Sequence, residues 1–230
     1  MISEKLVEAL NALEEEELLF VDVGCHKGHY WGKLQSHLKK PTFAIGIDPL
    51  DYSVQGGYNK FYNIAIDNVL KPTKALFREY NEPGCSSLLK MNVDNLSHDA
   101  KDYLKKWYVG YNIEDVIREF EVEVNSLYNL FKDDKSISFI KIDTQGNDIN
   151  VVRSLRKLLR TTHYIQIESA SKNNVLYHGQ KTIDSDIERM RRMGFDVLEI
   201  IDYSKWAAVQ ESDVVFYNTR LHGKNSLSQS

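Results

Sequence analysis

The sequence predicts one α/β domain with a doubly wound, mainly parallel sheet, and three observations carry that prediction. Short apolar runs such as Leu18-Leu19-Phe20-Val21-Asp22-Val23 and Phe43-Ala44-Ile45-Gly46-Ile47 lack the alternation of a half-exposed strand, so they read as strands covered on both faces. Segments of helical periodicity separate them, which is the order of a parallel sheet with crossover helices. The 230 residues, 42% of them hydrophobic, can build one sizeable core but hardly two.

Each element follows from local pattern. Leu6, Leu10 and Leu13 recur at i, i+4 and i+7 beside Glu14 to Glu17, an amphipathic helix that caps the domain over residues 1–17. The strand from Leu18 to Val23 runs into Gly24. A helix over Tyr30 to Lys40 follows, stopped by Pro41, and the strand from Phe43 to Ile47 ends at Asp48-Pro49, completing a β-α-β unit. Phe61 to Ile66 is a third strand, closing at Asp67. The pattern then loosens. Ala75 to Phe77 reads as a short strand, Pro83 to Ser87 as a turn and Ser97 to Tyr108 as a helix. Phe120 to Val124 alternates with period two, as a half-exposed edge strand does. Residues 90–119 are where substrate-binding elements could be inserted. Ile137 to Ile142 is a strand ending at Asp143; Ile149, Val152, Leu155 and Leu159 trace a helix face; Tyr164 to Glu168 is a strand; Ile183, Ile187 and Met190 trace a helix ended by Gly194. Phe195 to Ile201 and Asp213 to Tyr217 close the sheet as an antiparallel pair. The main domain is expected over residues 18–220, with 221–230 as a flexible tail.

Charge and cysteine usage exclude several classes. Lys+Arg number 29 and Asp+Glu 33, a net charge of −4, so the whole-protein field gathers neither nucleic acid nor anionic membrane. Arg153, Arg156, Lys157 and Arg160 make a basic helix face, and Arg189, Arg191 and Arg192 follow. Such outward faces are ordinarily only solvated, and no nucleic-acid partner is expected. No run of about 18 apolar residues occurs, and Met1-Ile2-Ser3-Glu4-Lys5 reads as neither signal peptide nor span. The expectation is a soluble, cytoplasmic protein with no membrane partner. Cys25 and Cys85 lie far apart without CxxC pairing, which speaks against a disulfide framework and a structural zinc site.

Three predicted strands finish at or next to a carboxylate, and in an open α/β sheet ligands bind beyond the carboxyl ends of the strands. Asp22-Val23-Gly24-Cys25-His26-Lys27-Gly28 carries a Gly-x-x-x-Gly spacing from strand into helix. It is neither the dinucleotide fingerprint Gly-x-Gly-x-x-Gly nor the phosphate loop, since no glycine stands at position 26 and no Gly-Lys-Ser/Thr follows. Asp48 lies about 20 residues beyond Gly28, at the next strand tip, where a carboxylate can accept from both ribose hydroxyls. A nucleoside-bearing cofactor is implied, without a pyrophosphate requirement. Asp22 is flanked by apolar residues, so its charge needs a partner. Cys25 and His26 belong to the cofactor loop, where the backbone amides of His26 and Lys27 should line the cleft and the Cys25 thiol is expected to be inert. Asp67 either caps a turn or faces the cofactor's base.

Phe20-Val21-Asp22-Val23-Gly24-Cys25-His26-Lys27-Gly28, Gly46-Ile47-Asp48-Pro49, Asn63-Ile64-Ala65-Ile66-Asp67 and Lys141-Ile142-Asp143-Thr144-Gln145-Gly146-Asn147-Asp148 together resemble the FkbM family of S-adenosylmethionine-dependent methyltransferases. Gly84-Cys85-Ser86-Ser87-Leu88 is similar to the family's Ser-Ser-Leu turn. Val124-Asn125-Ser126-Leu127 is similar to its Val-x-x-Leu-Asp segment, with Tyr128 where Asp is common. Tyr177-His178-Gly179-Gln180 and Gly194-Phe195 match its Tyr-x-Gly-Gln and Gly-Phe elements. The block after Asp143 departs from the frequent Asp-x-Glu-Gly-x-Glu, with Gln145 for Glu and Asn147-Asp148 at its end.

The resemblance implies a class I, Rossmann-like methyltransferase fold with a seven-stranded sheet and an antiparallel closing strand. It also implies S-adenosylmethionine as cofactor. Asp22, Gly24 and Gly28 would hold its methionine part, Asp48 its ribose and Asp67 its adenine. Methyl transfer from a sulfonium is chiefly a matter of alignment, with a general base where the acceptor is an alcohol. Asp143 is the first candidate base, Glu168 the second and His178, in its loop, the third. Asp143 and Glu168 could also share a Mg²⁺ ion. The expected acceptor is a hydroxyl of a sugar or glycan. Alternatives are a small-molecule or lipid-linked acceptor, a cofactor-binding protein without turnover, and, weakened by the missing glycine, a nicotinamide dehydrogenase.

Overall fold

The apolar runs of the sequence become the middle of a sheet because helices cover both of its faces. The computed structural model describes residues 2–95, 98, 101–102, 115–134, 136–170, 175–202 and 211–223. Among them, β1 (Leu18–Val23), β2 (Thr42–Ile47), β3 (Lys60–Tyr62), β4 (Ala65–Ile66), β5 (Thr73–Tyr80), β6 (Val116–Asn125), β7 (Ile137–Ile142), β8 (Thr162–Ala170), β9 (Phe195–Asp202) and β10 (Glu211–Asn218) form two sheets. The larger has seven strands in the order β3-β2-β1-β7-β8-β10-β9. β3, β2, β1, β7 and β8 are parallel, and β10 is antiparallel to both neighbours. The sheet is therefore the doubly wound, mainly parallel one expected, with its antiparallel strand slotted between β8 and β9.

Strand alternation sorts the core into two layers. Val21, Val23, Ile45, Ile140, Ile142, Ile165 and Ile167 point to one face, where α3 (Leu127–Phe131), α4 (Asp148–Ser154) and α5 (Ile183–Arg192) supply Leu127, Val152 and Met190. Leu18, Phe20, Ala44, Phe139 and Tyr164 point to the other, beneath Leu6 and Leu10 of α1 (Glu4–Ala12) and Trp31 and Leu34 of α2 (His29–Leu34). Phe20 and Phe139 stack with ring centroids 5.2 Å apart. Truncating a core residue such as Leu10 to Ala costs about 2–5 kcal/mol. Asp22, Lys141 and Gln166 fall on this second face by the same alternation, and they are the polar end of an apolar layer.

Several expected elements differ. The helix over Tyr30 to Lys40 ends at Leu34 and tightens into a 3₁₀ turn over Gln35–His37, after which the Lys39 N–H donates to Asn11 Oδ1. The strand from Phe61 to Ile66 breaks at Asn63, whose amide donates to the carbonyls of Asp48 and Pro49. Its first half pairs with β2, and Ala65 and Ile66 pair instead with Val124 and Asn125. Ala75 to Phe77 is the centre of the eight-residue β5. Phe120 to Val124 belongs to the ten-residue β6, which is the middle strand of the β4-β6-β5 sheet rather than an edge. The helix expected over Ser97 to Tyr108 lies largely outside the described residues. Leu221 and His222, expected in the tail, belong to the short helix α6 (Thr219–His222), capped by Asn218. No helix of the described residues is long and apolar enough to cross a membrane.

Candidate active site

β1 and β7 lie side by side, while the chain after β1 winds toward β3 and after β7 toward β8. That is the point where strand order reverses, and a crevice opens beyond the strand ends there. The loop leaving β1 crosses it. Gly24 has φ +73°, and a Cβ on it would stand 1.8 Å from the Asp143 carbonyl oxygen. The glycine is thus required by the close approach of the segment after β7. The Asp143 N–H donates to the Val23 carbonyl and the Gly24 N–H to that of Ile47, so three strand ends are tied together. Gly28 adopts φ +73° as the residue before α2.

Asp48, at the tip of β2, is 7% exposed. Its Oδ2 accepts the His26 N–H and its Oδ1 the Leu50 N–H, both at 2.9 Å. Each oxygen keeps a further acceptor position. Burial pushes its pKa up to about 6 against those two donors. The amides of the Gly24 loop therefore serve mainly within the protein: His26 holds Asp48, and Cys25 reaches the Ile47 carbonyl. Burial raises the Cys25 thiol far above its usual range, as its inert assignment requires.

Asp22 is fully buried, with one oxygen hydrogen-bonded and Oδ1 left without a hydrogen bond. The Tyr58 hydroxyl donates to its Oδ2 at 2.6 Å, and Lys141 Nζ lies 3.9 Å from its Oδ1. Desolvation raises its pKa, with Lys141 and Tyr58 opposing. Asp67 is half-buried just beyond the cleft; its carboxylate accepts from the Asn68 N–H and its own N–H donates to Asn125.

Two cavities meet at Gly24, His26 and Asp143. The first, about 690 Å³ of empty space open to solvent, has Asp48 at one end and an apolar slot of Leu50, Ile64, Ala65, Ile66, Phe77 and Leu88. Thr144 Oγ1 and His26 Nε2, both on residues lining it, are buried without hydrogen-bond partners. A slot for a flat ring, a carboxylate with open acceptor positions and polar atoms lacking partners fit a nucleoside-bearing cofactor. The second cavity, on the α2 side, is lined by Tyr30, Lys33, Lys141, Asp143, Glu168 and Asp213 among others.

The candidate catalytic residues divide here. Asp143 and Glu168 come together: Gln145 Nε2 donates to Asp143 Oδ1 at 2.7 Å and to Glu168 Oε2 at 3.1 Å, and Lys141 Nζ lies 2.9 Å from Asp143 Oδ2. Burial would strip the Lys141 proton, but Asp143 and Asp22 outweigh it and hold the ammonium charged. Burial first, then Asp143, Glu211, Asp213 and Asp148, push Glu168 well above the carboxylate range. His178 is exposed, with its backbone N–H bonded to Lys90. The amide of Gln145 stands where a cation shared by Asp143 and Glu168 would have to sit. Among the described residues no group of His, Cys, Asp and Glu is arranged to hold a metal. The expected Mg²⁺ therefore has no support.

Nothing in the local sequence marks Lys141, Tyr58 or Tyr177 as site residues. Lys141 follows the alternation that also points Asp22, but nothing local tells that two adjacent strands put them together. Of the basic helix face, Arg156 donates to the Val69 carbonyl and lies with Lys157 over the Tyr128 ring, so part of it is engaged internally.

Comparison with curated protein sequences returns no match. Among solved structures, the chain is similar to Burkholderia thailandensis 1,6-didemethyltoxoflavin-N1-methyltransferase (10% identity, TM-score 0.45, covering 94% of this chain and 77% of that one). It is also similar to magnesium protoporphyrin IX methyltransferase from Synechocystis (12%, 0.46, 94% and 77%) and to a putative tRNA (m1A22) methyltransferase of Streptococcus pneumoniae (12%, 0.41, 95% and 71%). The sequence model of the methyltransferase FkbM domain matches residues 22–197, from the buried acid of β1 to the start of β9. With that match over most of its length, the chain belongs to the FkbM family of S-adenosylmethionine-dependent methyltransferases.

Proposed function

We propose that the protein transfers a methyl group to a hydroxyl of a sugar or glycan-like acceptor. The observation that carries this reading is the lining of the second cavity, where Asp143, Glu168, Asp213, Lys141 and Tyr30 offer hydrogen-bonding groups. A polyhydroxyl acceptor matches such a wall better than an apolar one would.

In this reading Asp48 accepts the ribose hydroxyls of the cofactor, and the slot from Leu50 to Leu88 covers its base. The Gly24 loop and Thr144 meet its methionine end. When bound, the cofactor supplies an electrophilic methyl on sulfur. The chain's own groups orient the acceptor oxygen in line with it and take up the proton, with Asp143, Glu168 and the exposed His178 as the candidates. Asp22 acts at one remove, through Lys141 and Tyr58. The reading also keeps the protein in the cytoplasm, in line with its free cysteines.

The test is incubation of the full chain with methyl-labelled S-adenosylmethionine and a panel of mono- and oligosaccharides, read as label transferred to the sugar. Periodate cleaves only between adjacent free hydroxyls, so the diol that becomes resistant after transfer identifies the methylated oxygen. Cofactor binding with transfer to no sugar, but to another small molecule, would overturn the acceptor class.

A further inference from the structure

Asp143 and Glu168 are held together by a third side chain whose direction is set by its surroundings. Gln145 donates through Nε2 to both acids, while its Oε1 lies 2.9 Å from the Tyr177 hydroxyl, which is also 2.7 Å from the Cys85 carbonyl. The two ends of the amide are not interchangeable. Asp143 is ion-paired with Lys141 at 2.9 Å and a carboxylate oxygen only accepts, so the end of Gln145 that faces it is the donor. The backbone is committed to this placement as well. Gln145 has φ +53° and Gly146 +92°, and a Cβ on Gly146 would stand 2.9 Å from Tyr177 Cβ. Ser87 Oγ contacts the carbonyls of Thr144 and Gln145 and secures the same turn from the other side.

Occupancy separates the two acids. Asp143 has both oxygens engaged, one by Gln145 and one by Lys141. Glu168 accepts through Oε2, and its Oε1 has no hydrogen-bond partner among the described residues. Glu168 lines the acceptor-side cavity and also a smaller polar pocket beside Asp148 and Asp186. The titratable groups that face it are Asp143 just after β7, Glu211 and Asp213 from β10 and Asp148 from α4, while Lys141 and Lys33 line the same cavity.

We infer that Gln145 is a positioning residue: it tethers Glu168 to Asp143 and leaves Glu168, not Asp143, with the free oxygen that receives the acceptor's proton. In that step the acceptor O–H bond breaks and its proton passes to Glu168 Oε1. The freed pair on oxygen forms the bond to the methyl carbon, and the carbon–sulfur bond breaks with its pair staying on sulfur. The proton's destination rests on the hydroxyl methylation proposed above; the tether does not. An N–H donated to a carboxylate favours its charged form, so Gln145 opposes the burial and neighbouring charges that drive Glu168 toward neutrality.

The experiment is a carboxyl-carbon NMR titration of the full chain labelled at glutamate, with Glu168 assigned through Glu168→Gln. In Gln145→Asn the shorter amide, which tolerates the left-handed backbone, no longer spans both acids. The Glu168 midpoint is expected to rise by roughly one pH unit. Tyr177→Phe frees the oxygen end of the amide and should move it the same way by less, and it decides the matter should the asparagine variant not fold. A midpoint unmoved or lowered in folded variants would overturn the tether. A moved midpoint without label transfer to any hydroxyl would instead remove the proton's destination together with the proposed function. A moved midpoint with transfer, but with a pH–rate profile of Gln145→Asn superimposable on wild type, would overturn Glu168 as the proton's destination and leave the tether standing.

Discussion

The Tyr58 hydroxyl donates to Asp22 Oδ2 at 2.6 Å, and this bond joins the loop after β2 to the centre of the sheet. The ring lies against Gly46, where a Cβ would come within 2.6 Å of it, so the partner reaches the buried acid across the neighbouring strand. Tyr58→Phe keeps the ring and removes the donor. Asp22 would then be left with Lys141 at 3.9 Å as its nearest compensation. The expected loss is about 1–3 kcal/mol, read as a lower urea midpoint with an unchanged slope.

If Asp48 accepts the cofactor's ribose hydroxyls as proposed, it ties cofactor binding to pH. The folded protein holds its proton up to about pH 6, whereas the ordinary value is 3.8. Ionisation therefore costs the fold stability, a cost absent at low pH, growing as pH rises between those two values and constant above. Ribose hydroxyls donating to the carboxylate favour the ionised form, so S-adenosylmethionine should bind about tenfold more weakly at pH 5 than at pH 7. Calorimetry across that range checks it, and Asp48→Asn should bind weakly with a flat profile.

Gly24→Ala places a methyl against the Asp143 carbonyl at a backbone angle that side chains avoid. The turn cannot yield without parting β1 from the segment after β7. A destabilisation of about 3 kcal/mol or more is expected, with loss of S-adenosylmethionine binding in whatever remains folded. Thermal melts and calorimetry measure the two effects.

Because the Gln145 amide stands between Asp143 and Glu168, chelation should leave methyl transfer unchanged, and added Mg²⁺ should not raise it. A turnover assay with and without a chelator distinguishes this from the shared-ion arrangement, in which activity would collapse.

The sequence by itself determined the sheet, because β1, β2 and β7 are mostly buried and so appear as short, predominantly apolar runs. It also showed the acids at the strand tips, since Asp48 and Asp143 directly follow Ile47 and Ile142, the last residues of β2 and β7. The β6 strand was legible as a strand from the alternation around Phe120 to Val124, but its place was not. Edge or middle depends on which strands lie beside it, and β4 pairs with it through only Ala65 and Ile66. Only the tertiary structure decided how the acids are partnered. Asp22 meets Tyr58 and Lys141, and Glu168 meets Gln145, through contacts between residues far apart in the chain, which no local periodicity encodes. Which oxygens of Asp143 and Glu168 are already engaged is likewise decided by packing rather than by spacing.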